Sequence, residues 1–352
     1  MENIQELKSR LDTRDMYGMI VDMARHLEDG LALGLEVDLQ GLEEETFQTV
    51  VLAGMGGSAI GGDIVESYLR GQMAIPLRVC RHYRLPGFVN KKALVICSSY
   101  SGNTEETLAA FDDAVIRGAK IIVLSSGGKL QDKARAAEIP IVSITAGLPP
   151  RAALGYSVAS LLVILWRLGL CDDQCDELRG SVASLRKWAP AYVPEYADNP
   201  ALDLARQIQG SIPVIYSGYD KFDAVAGRFR TQANENAKTL AFSNVFPELS
   251  HNEIIGWDAL SRLDGRFTVV ILKDTQDHRR LKVRMEIVAR YLKNKGIKVV
   301  VLESKPGTDL ERIFYFVQLL DFTCYYLALL NGVDPFPITA IESLKDELSK
   351  IN

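Results

Sequence analysis

Two loops concentrate the residue types able to do chemistry. The first, G-M-G-G-S-A-I-G-G-D from Gly54 to Asp63, follows the apolar run Val50 to Ala53. Its glycines let the backbone approach an anion closely, and Ser58 adds a hydroxyl near the start of a helix. The second, S-S-Y-S-G-N-T-E-E-T from Ser98 to Thr107, gathers Ser and Thr hydroxyls and Asn103 around Gly102, after the run Leu94 to Cys97. Neutral hydroxyls and free backbone N–H groups at a helix N-terminus suit a phosphate. No Lys or Arg lies in this second loop, which fits a small phosphorylated metabolite that must bind and leave. A plainer reading gives the glycines to a tight turn, and makes Ser101 or Asn103 a helix cap with Glu105 or Glu106 in the first turn. Capping accounts for two or three of the residues and leaves the others over.

Gly54, Gly56 and Ala59 also fit the dinucleotide pattern G-x-G-x-x-G/A. An NAD enzyme carries an acid about 20 residues on, at the end of the next strand, to hold the ribose hydroxyls. Here that strand ends Arg81-His82-Tyr83-Arg84, so NAD is disfavoured and an NADP reader using Arg81 or Arg84 stays open. No Lys-Ser/Thr pair follows the glycines, which excludes a Walker loop.

The elements that must hold these loops alternate strand and helix. Apolar runs at Thr49 to Ala53, Leu77 to Arg81, Ala93 to Cys97, Lys120 to Leu124 and Ile139 to Ile144 are separated by helix-length amphipathic stretches. A second series has Pro213 to Tyr216, Thr268 to Leu272 and Lys298 to Leu302, with helical stretches at Lys221 to Lys238 and Gln276 to Lys295. Such alternation predicts α/β architecture: two units, each a parallel sheet flanked by helices in three layers, each with its own core. Residues 46–187 form the first unit and 201–332 the second, joined by a Pro-rich linker at 188–200. The helical segment 1–45 and a C-terminal turn and helix, 333–352, are expected to pack onto the two sheets.

Composition narrows the function. Among 352 residues, 40 basic side chains against 45 acidic ones leave a net charge of −5, too acidic to neutralise a nucleic-acid backbone. Met1 to Arg10 is polar, without the apolar core of a secretory signal, so a cytoplasmic protein is expected. The longest apolar stretch, Val158 to Trp166, is short of the ~20 residues that cross a bilayer and reads as a buried helix. Five cysteines, at 80, 97, 171, 175 and 324, suggest no disulfide framework. Cys171 and Cys175 lack the further ligands of a zinc site, so no metal is expected.

With the Ser58 loop, the block S-S-Y-S-G-N-T and the doubled α/β pattern in view, the chain resembles the sugar isomerase (SIS) domain family. The segments P-P-R-A-A-L-G-Y-S, T-Q-A-N-E-N-A-K and L-S-H-N-E-I-I-G-W are similar to the bifunctional phosphoglucose/phosphomannose isomerases in particular, over about Val50 to Lys345. The resemblance implies a cofactor-free aldose-ketose isomerase of hexose 6-phosphates, acting as a homodimer. It further implies that the C-terminal helix returns to the cleft between the units. Rival readings within the fold are a non-catalytic sensor of a sugar phosphate and an isomerase or synthase of amino sugars.

Such an enzyme opens the sugar ring and moves a proton between C1 and C2 through an enediol or enediolate, work that suits a carboxylate. By resemblance, Glu235 in N-E-N is the proton shuttle, with Asn234 and Asn236 keeping its surroundings polar. Phosphate binding falls to Gly56, Gly57, Ser58, Ser99, Ser101 and Thr104. Ring opening needs a group that donates and accepts near neutral pH. Of four histidines, His251 sits in a polar turn beside Glu248 and Glu253, which could orient it, and the resemblance lets it serve the neighbouring subunit. His82 is a spare candidate, whereas His26 and His278 lie in charged helical segments and read as surface. Arg151 matches the family's arginine that supports the enediolate, and Lys345 its C-terminal lysine for ring opening. Acceptance of mannose 6-phosphate is linked in this family to a C-terminal Thr; Thr339 is nearby, while Phe336 and Ile338 stand where a small polar residue is expected.

Overall fold

Strands buried on both faces need apolar side chains at every position, and that is how the central strands read. In the computed structural model, which describes residues 3–258 and 265–351, they build two parallel sheets. Helices α1 (Ile4–Leu11), α2 (Met16–Val21) and α3 (Met23–Glu36) lead into β1 (Thr49–Gly54), α4 (Gly56–Leu69), β2 (Leu77–Cys80) and β3 (Ala93–Ser98). Then come α5 (Glu105–Ile116), β4 (Lys120–Ser125), α6 (Gly128–Ala136) and β5 (Ile141–Ser143), closing a sheet of order β2-β1-β3-β4-β5. A single 3-10 turn, Pro150–Ala152, precedes α7 (Leu154–Arg167), α8 (Cys175–Trp188) and α9 (Pro200–Ile208). The second sheet, order β7-β6-β8-β9, uses β6 (Ile212–Gly218), α10 (Asp223–Glu235), β7 (Phe242–Phe246), α11 (Glu253–Gly256), β8 (Phe267–Lys273), α12 (Arg279–Asn294) and β9 (Lys298–Glu303). The chain ends with α13 (Asp309–Leu330) and α14 (Thr339–Ser349).

Helices cover both faces of each sheet, giving the expected three-layer units. The cores are not separate, however. One continuous apolar cluster runs from α3 and α7 under the first sheet, through α8 and α9, to α10 and α13 under the second. The segment 188–200 is packed into it: Tyr192 is buried, stacks on Phe322 at 4.9 Å and accepts a hydrogen bond from the Tyr326 hydroxyl. The N-terminal helices pack mainly on other helices of this layer, and α3 also touches a strand, β5.

Three expectations need correcting. Val158 to Trp166 is a buried helix as expected, in α7, but the helix that bears on the membrane question is α13: its 22 residues are apolar enough to cross one by length and composition, yet most of its length is buried in protein. Strand β7 escaped notice because F-S-N-V-F is an edge strand with an exposed start, lacking the apolar run of a central strand.

The third is His26, which lies fully buried against Tyr156, ring centroids 4.8 Å apart. Its charged neighbours made it read as surface, but α3 meets α7 so closely here that a Cβ on Gly155 would stand 2.8 Å from the His26 Cβ. Neither ring nitrogen has a hydrogen-bond partner among the described residues. Burial, then the Arg25 charge, holds its pKa below the usual histidine value, against weaker pulls from Asp22, Asp29 and the Ala152 backbone. The unfolded chain thus takes up a proton near the ordinary value, about 6.5, that the fold resists. Stability should therefore fall as pH drops below that value, down to the lower folded pKa. Thermal unfolding from pH 7 to 5 should show a decline that His26→Phe, which keeps the ring stack, makes shallower; an unchanged slope would remove His26 from the explanation.

Candidate active site

Both glycine- and hydroxyl-rich loops leave the first sheet at its carboxyl edge, on the neighbouring strands β1 and β3. Each opens a helix whose N-terminus has no side-chain cap: Met55 precedes α4, and Thr104 precedes α5. Thr104 Oγ1 is instead 2.8 Å from Ser99 Oγ, and Ser58 Oγ accepts from the Tyr100 amide at 3.0 Å. Ser101 and Asn103 do not cap α5 either. The Asn103 side chain donates to the Ser101 carbonyl at 3.0 Å and accepts from the Lys129 amide at 3.2 Å. Capping thus fails to explain these residues, while two open positive helix ends bordered by hydroxyls make a cradle whose chemistry suits an anion.

The rest of the site comes from far along the chain. Helix α4 starts so close to the 3-10 turn that a Cβ on Gly57 would lie 2.6 Å from the Pro150 carbonyl carbon and 2.7 Å from the Arg151 nitrogen. Only glycine admits this approach, and it sets Arg151 beside the cradle. Arg151 is 3% exposed. Its Nε donates to Asn236 Oδ1 at 2.6 Å, and its Nη2 to the carbonyls of Pro335 (3.1 Å) and Phe336 (2.7 Å). The remaining Nη1 faces Glu235 Oε2 at 3.4 Å. Burial first, and the nearby Arg228 charge, lower the Arg151 pKa, while Glu235 raises it. Glu235 ends α10, partly open to solvent, so a carboxylate and a guanidinium stand together near the start of α4. Asn236 holds the arginine as well as keeping the surroundings polar, whereas Asn234 faces solvent.

Under this pair lies a buried support that sequence reasoning missed. Arg228 donates to Asp321 through Nε (3.0 Å) and Nη2 (2.6 Å), and its Nη2 also reaches the Arg151 carbonyl at 2.9 Å. Gln232 donates to the same Asp321 at 3.1 Å. Arg228, Gln232 and Glu235 recur at helical spacing on one face of α10, a polar stripe that was the available signal.

His251 and Lys345 are not brought to this place within one chain. Glu235 closes α10 at the amino edge of the second sheet, whereas His251 follows the carboxyl end of β7. The strand between them spans roughly 15 Å. His251 is exposed, and the flanking acids do not orient it: Glu253 accepts from the Tyr216 hydroxyl and from Asn244, Glu248 from Asn252. Helix α14 does not return to the cleft; Lys345 and every other residue of it are exposed, because nothing among the described residues covers its Ile341, Leu344 and Leu348. Of the NADP candidates, Arg81 pairs with Asp63. Cys171 and Cys175 are free thiols, pushed up to about 12 and about 11 chiefly by burial.

Among the described residues, the second sheet's carboxyl edge has no matching cluster of hydroxyls. Asp274 is buried there against Arg312. Asp277 is raised to about 6, mainly by burial, with the Asp274 and Asp220 charges adding to it against its backbone hydrogen bond and Lys282.

Comparison with known proteins matches this architecture. A family described as the bacterial phospho-glucose isomerase C-terminal SIS domain matches residues 197–348. A bifunctional phosphoglucose/phosphomannose isomerase of Caldicellulosiruptor bescii is 37% identical over 96% of this chain and 99% of its own length. The chain belongs to the bifunctional phosphoglucose/phosphomannose isomerase family. Another member, from Aquifex aeolicus, is 34% identical over 86% of this chain and 91% of its own. A hypothetical protein of Thermus thermophilus has the same fold, with a TM-score of 0.77 at 18% identity, covering 99% of this chain and 94% of that one. Membership in the phosphoglucose/phosphomannose isomerase family sets the NADP reading aside.

Proposed function

We propose that the protein interconverts glucose 6-phosphate, mannose 6-phosphate and fructose 6-phosphate. The observation that carries this reading is the Arg151–Glu235 pair set against two uncapped helix N-termini. The phosphate sits in the cradle of Gly56, Gly57, Ser58, Ser99, Ser101 and Thr104, leaving C1 and C2 to reach Glu235. Glu235 removes the C2 proton of the open aldose, the electrons pass to O1, and Arg151 supports the negative charge that gathers there. A proton reaches O1, O2 loses its own, and the Glu235 carboxyl returns a proton to C1, giving the ketose. Glucose and mannose 6-phosphates share one enediolate, since they differ only at C2.

Ring opening is assigned to His251 and Lys345, in a homodimer. Strand β7 is a sheet edge with exposed apolar residues along it, Leu240 and Phe242 at one end and Ile255 beyond the other. A two-fold axis across that edge sets the carboxyl end of one β7 beside the amino end of the next, and so His251 of one copy near Glu235 of the other. The reading places the enzyme in cytoplasmic hexose phosphate metabolism, in glycolysis and gluconeogenesis.

Purified protein with EDTA and fructose 6-phosphate, assayed separately for glucose 6-phosphate and mannose 6-phosphate, should form both; formation of neither would overturn the reading. Co-refolding inactive Glu235→Gln with inactive His251→Asn should restore about one quarter of the sites, because half of random dimers are mixed and each has one intact site. No recovery would place His251 outside the shared site.

A further inference from the structure

Lys238 lies three residues beyond the end of α10, in left-handed backbone at φ 51°. A non-glycine residue is held there only when its surroundings determine it. Its ammonium has three donors, and all are spent on backbone: the carbonyls of Glu235 (2.8 Å), Asn236 (3.4 Å) and Asp334 (2.9 Å). The first two are the open carbonyls at the end of α10, where a cation is favoured. The third belongs to the turn whose next two carbonyls, Pro335 and Phe336, accept from Arg151.

Two cations therefore grip three successive carbonyls of one turn. The turn is fastened from other sides too. Asn331 donates to the Ala237 carbonyl and to Thr239 Oγ1, at 3.1 and 3.0 Å, and Asp334 accepts from Thr13. Phe336 lies under the Arg151 guanidinium, 5.9 Å from it, and under Arg14 at 4.6 Å. If the turn moves, Arg151 loses two of its fixed acceptors and can swing from Glu235.

Resting on the isomerase reading, we propose that Lys238 is a positioning residue, pinning the Asp334–Phe336 turn to the end of α10 so that Arg151 stays beside Glu235. The charged groups facing its ammonium are Arg151 from the 3-10 turn, Asp334 from the gripped turn and Glu235 from its own helix. Although Lys238 is exposed along its stem, desolvation of the ammonium among these carbonyls first, then the Arg151 charge, pulls its pKa down to about 8, against Asp334 and Glu235. A neutral amine can donate at most two of the three bonds, so the grip slackens as pH rises through that value. A depressed ammonium pKa also means that the fold resists the charge at neutral pH, so replacing Lys238 by Met gives back part of what it removes.

The test compares wild type, Lys238→Met and Lys238→Arg. In Lys238→Met, kcat is expected to fall about a hundredfold, with KM within about threefold, because the cradle is untouched while the reacting groups lose alignment. Lys238→Arg keeps the charge and should restore most of kcat, and its kcat should stay level to higher pH because a guanidinium does not lose its proton. Wild-type kcat should decline above about pH 8. Amide hydrogen exchange over residues 331–338, read at one pH, should quicken in Lys238→Met, whether or not the protein turns anything over. Faster exchange beside a wild type without turnover would sink the isomerase reading and leave the clamp standing. Unchanged exchange, or Lys238→Met at wild-type kcat in an active enzyme, would overturn the proposal.

Discussion

Glu235→Gln is expected to lower kcat about a thousandfold, the middle of the range that a general acid-base side chain supplies. The substitution preserves size and can still accept from Arg151 Nη1, 3.4 Å away in the native protein, but it cannot take a proton from carbon. KM for fructose 6-phosphate should move little, since the residues proposed to hold the phosphate lie at the start of α4 and in the loop before α5 rather than on α10. Turnover in heavy water separates this role from a structural one. Wild type should incorporate deuterium at C1 of fructose 6-phosphate and C2 of glucose 6-phosphate, and the variant should do so in step with its residual rate. A variant within about tenfold of wild type would assign the proton transfer to another group.

Arg151→Met should cost about a hundred- to a thousandfold in kcat, the scale seen when one fixed donor to a developing oxyanion is removed. Here the loss has two parts. The enediolate loses its cation, and the carbonyls of Pro335 and Phe336 and the Asn236 amide lose their donor in a buried place. Each orphaned group costs about 1–3 kcal/mol, so the thermal midpoint should fall together with activity. Arg151→Lys should not rescue turnover, because one ammonium cannot reproduce a planar fork that reaches Asn236, the 335–336 turn and Glu235 together. Near-normal kcat in Arg151→Lys would mean that a point charge suffices and that the fork is only structural. Glu235→Gln leaves the Arg151 bonds intact and should keep its midpoint much closer to wild type; the contrast separates proton transfer from support.

What could be read from the residues differs from place to place for physical reasons. Central strands such as Leu94 to Cys97 announced themselves, because a strand buried on both faces has no polar position to hide it. In α13, Gln318 and Asp321 broke the apolar run and concealed a core helix; Asp321 is tolerated there because Arg228, on α10, neutralises it. His26 was misjudged for the converse reason, since its charged sequence neighbours point away while its ring enters the α3–α7 contact. Glu235 and Arg151 stand out only through resemblance, and no spacing in the chain predicts that they stand 3.4 Å apart. Lys238 stood in the quoted motif N-E-N-A-K without a role, because all its partners are backbone carbonyls and carbonyls leave no mark in a sequence.

The residues alone determined that this is a doubled α/β chain with hydroxyl- and glycine-rich loops at the starts of two helices, because strand burial, helix starts and glycine geometry are local properties. Only the tertiary structure decided that the carboxyl edge of the first sheet meets the amino edge of the second, setting Glu235 by the cradle and His251 at the far end of β7. That outcome depends on how α4, α10 and α13 pack around one shared core. Packing between elements far apart in sequence is a sum of many small contacts, and no short segment carries it.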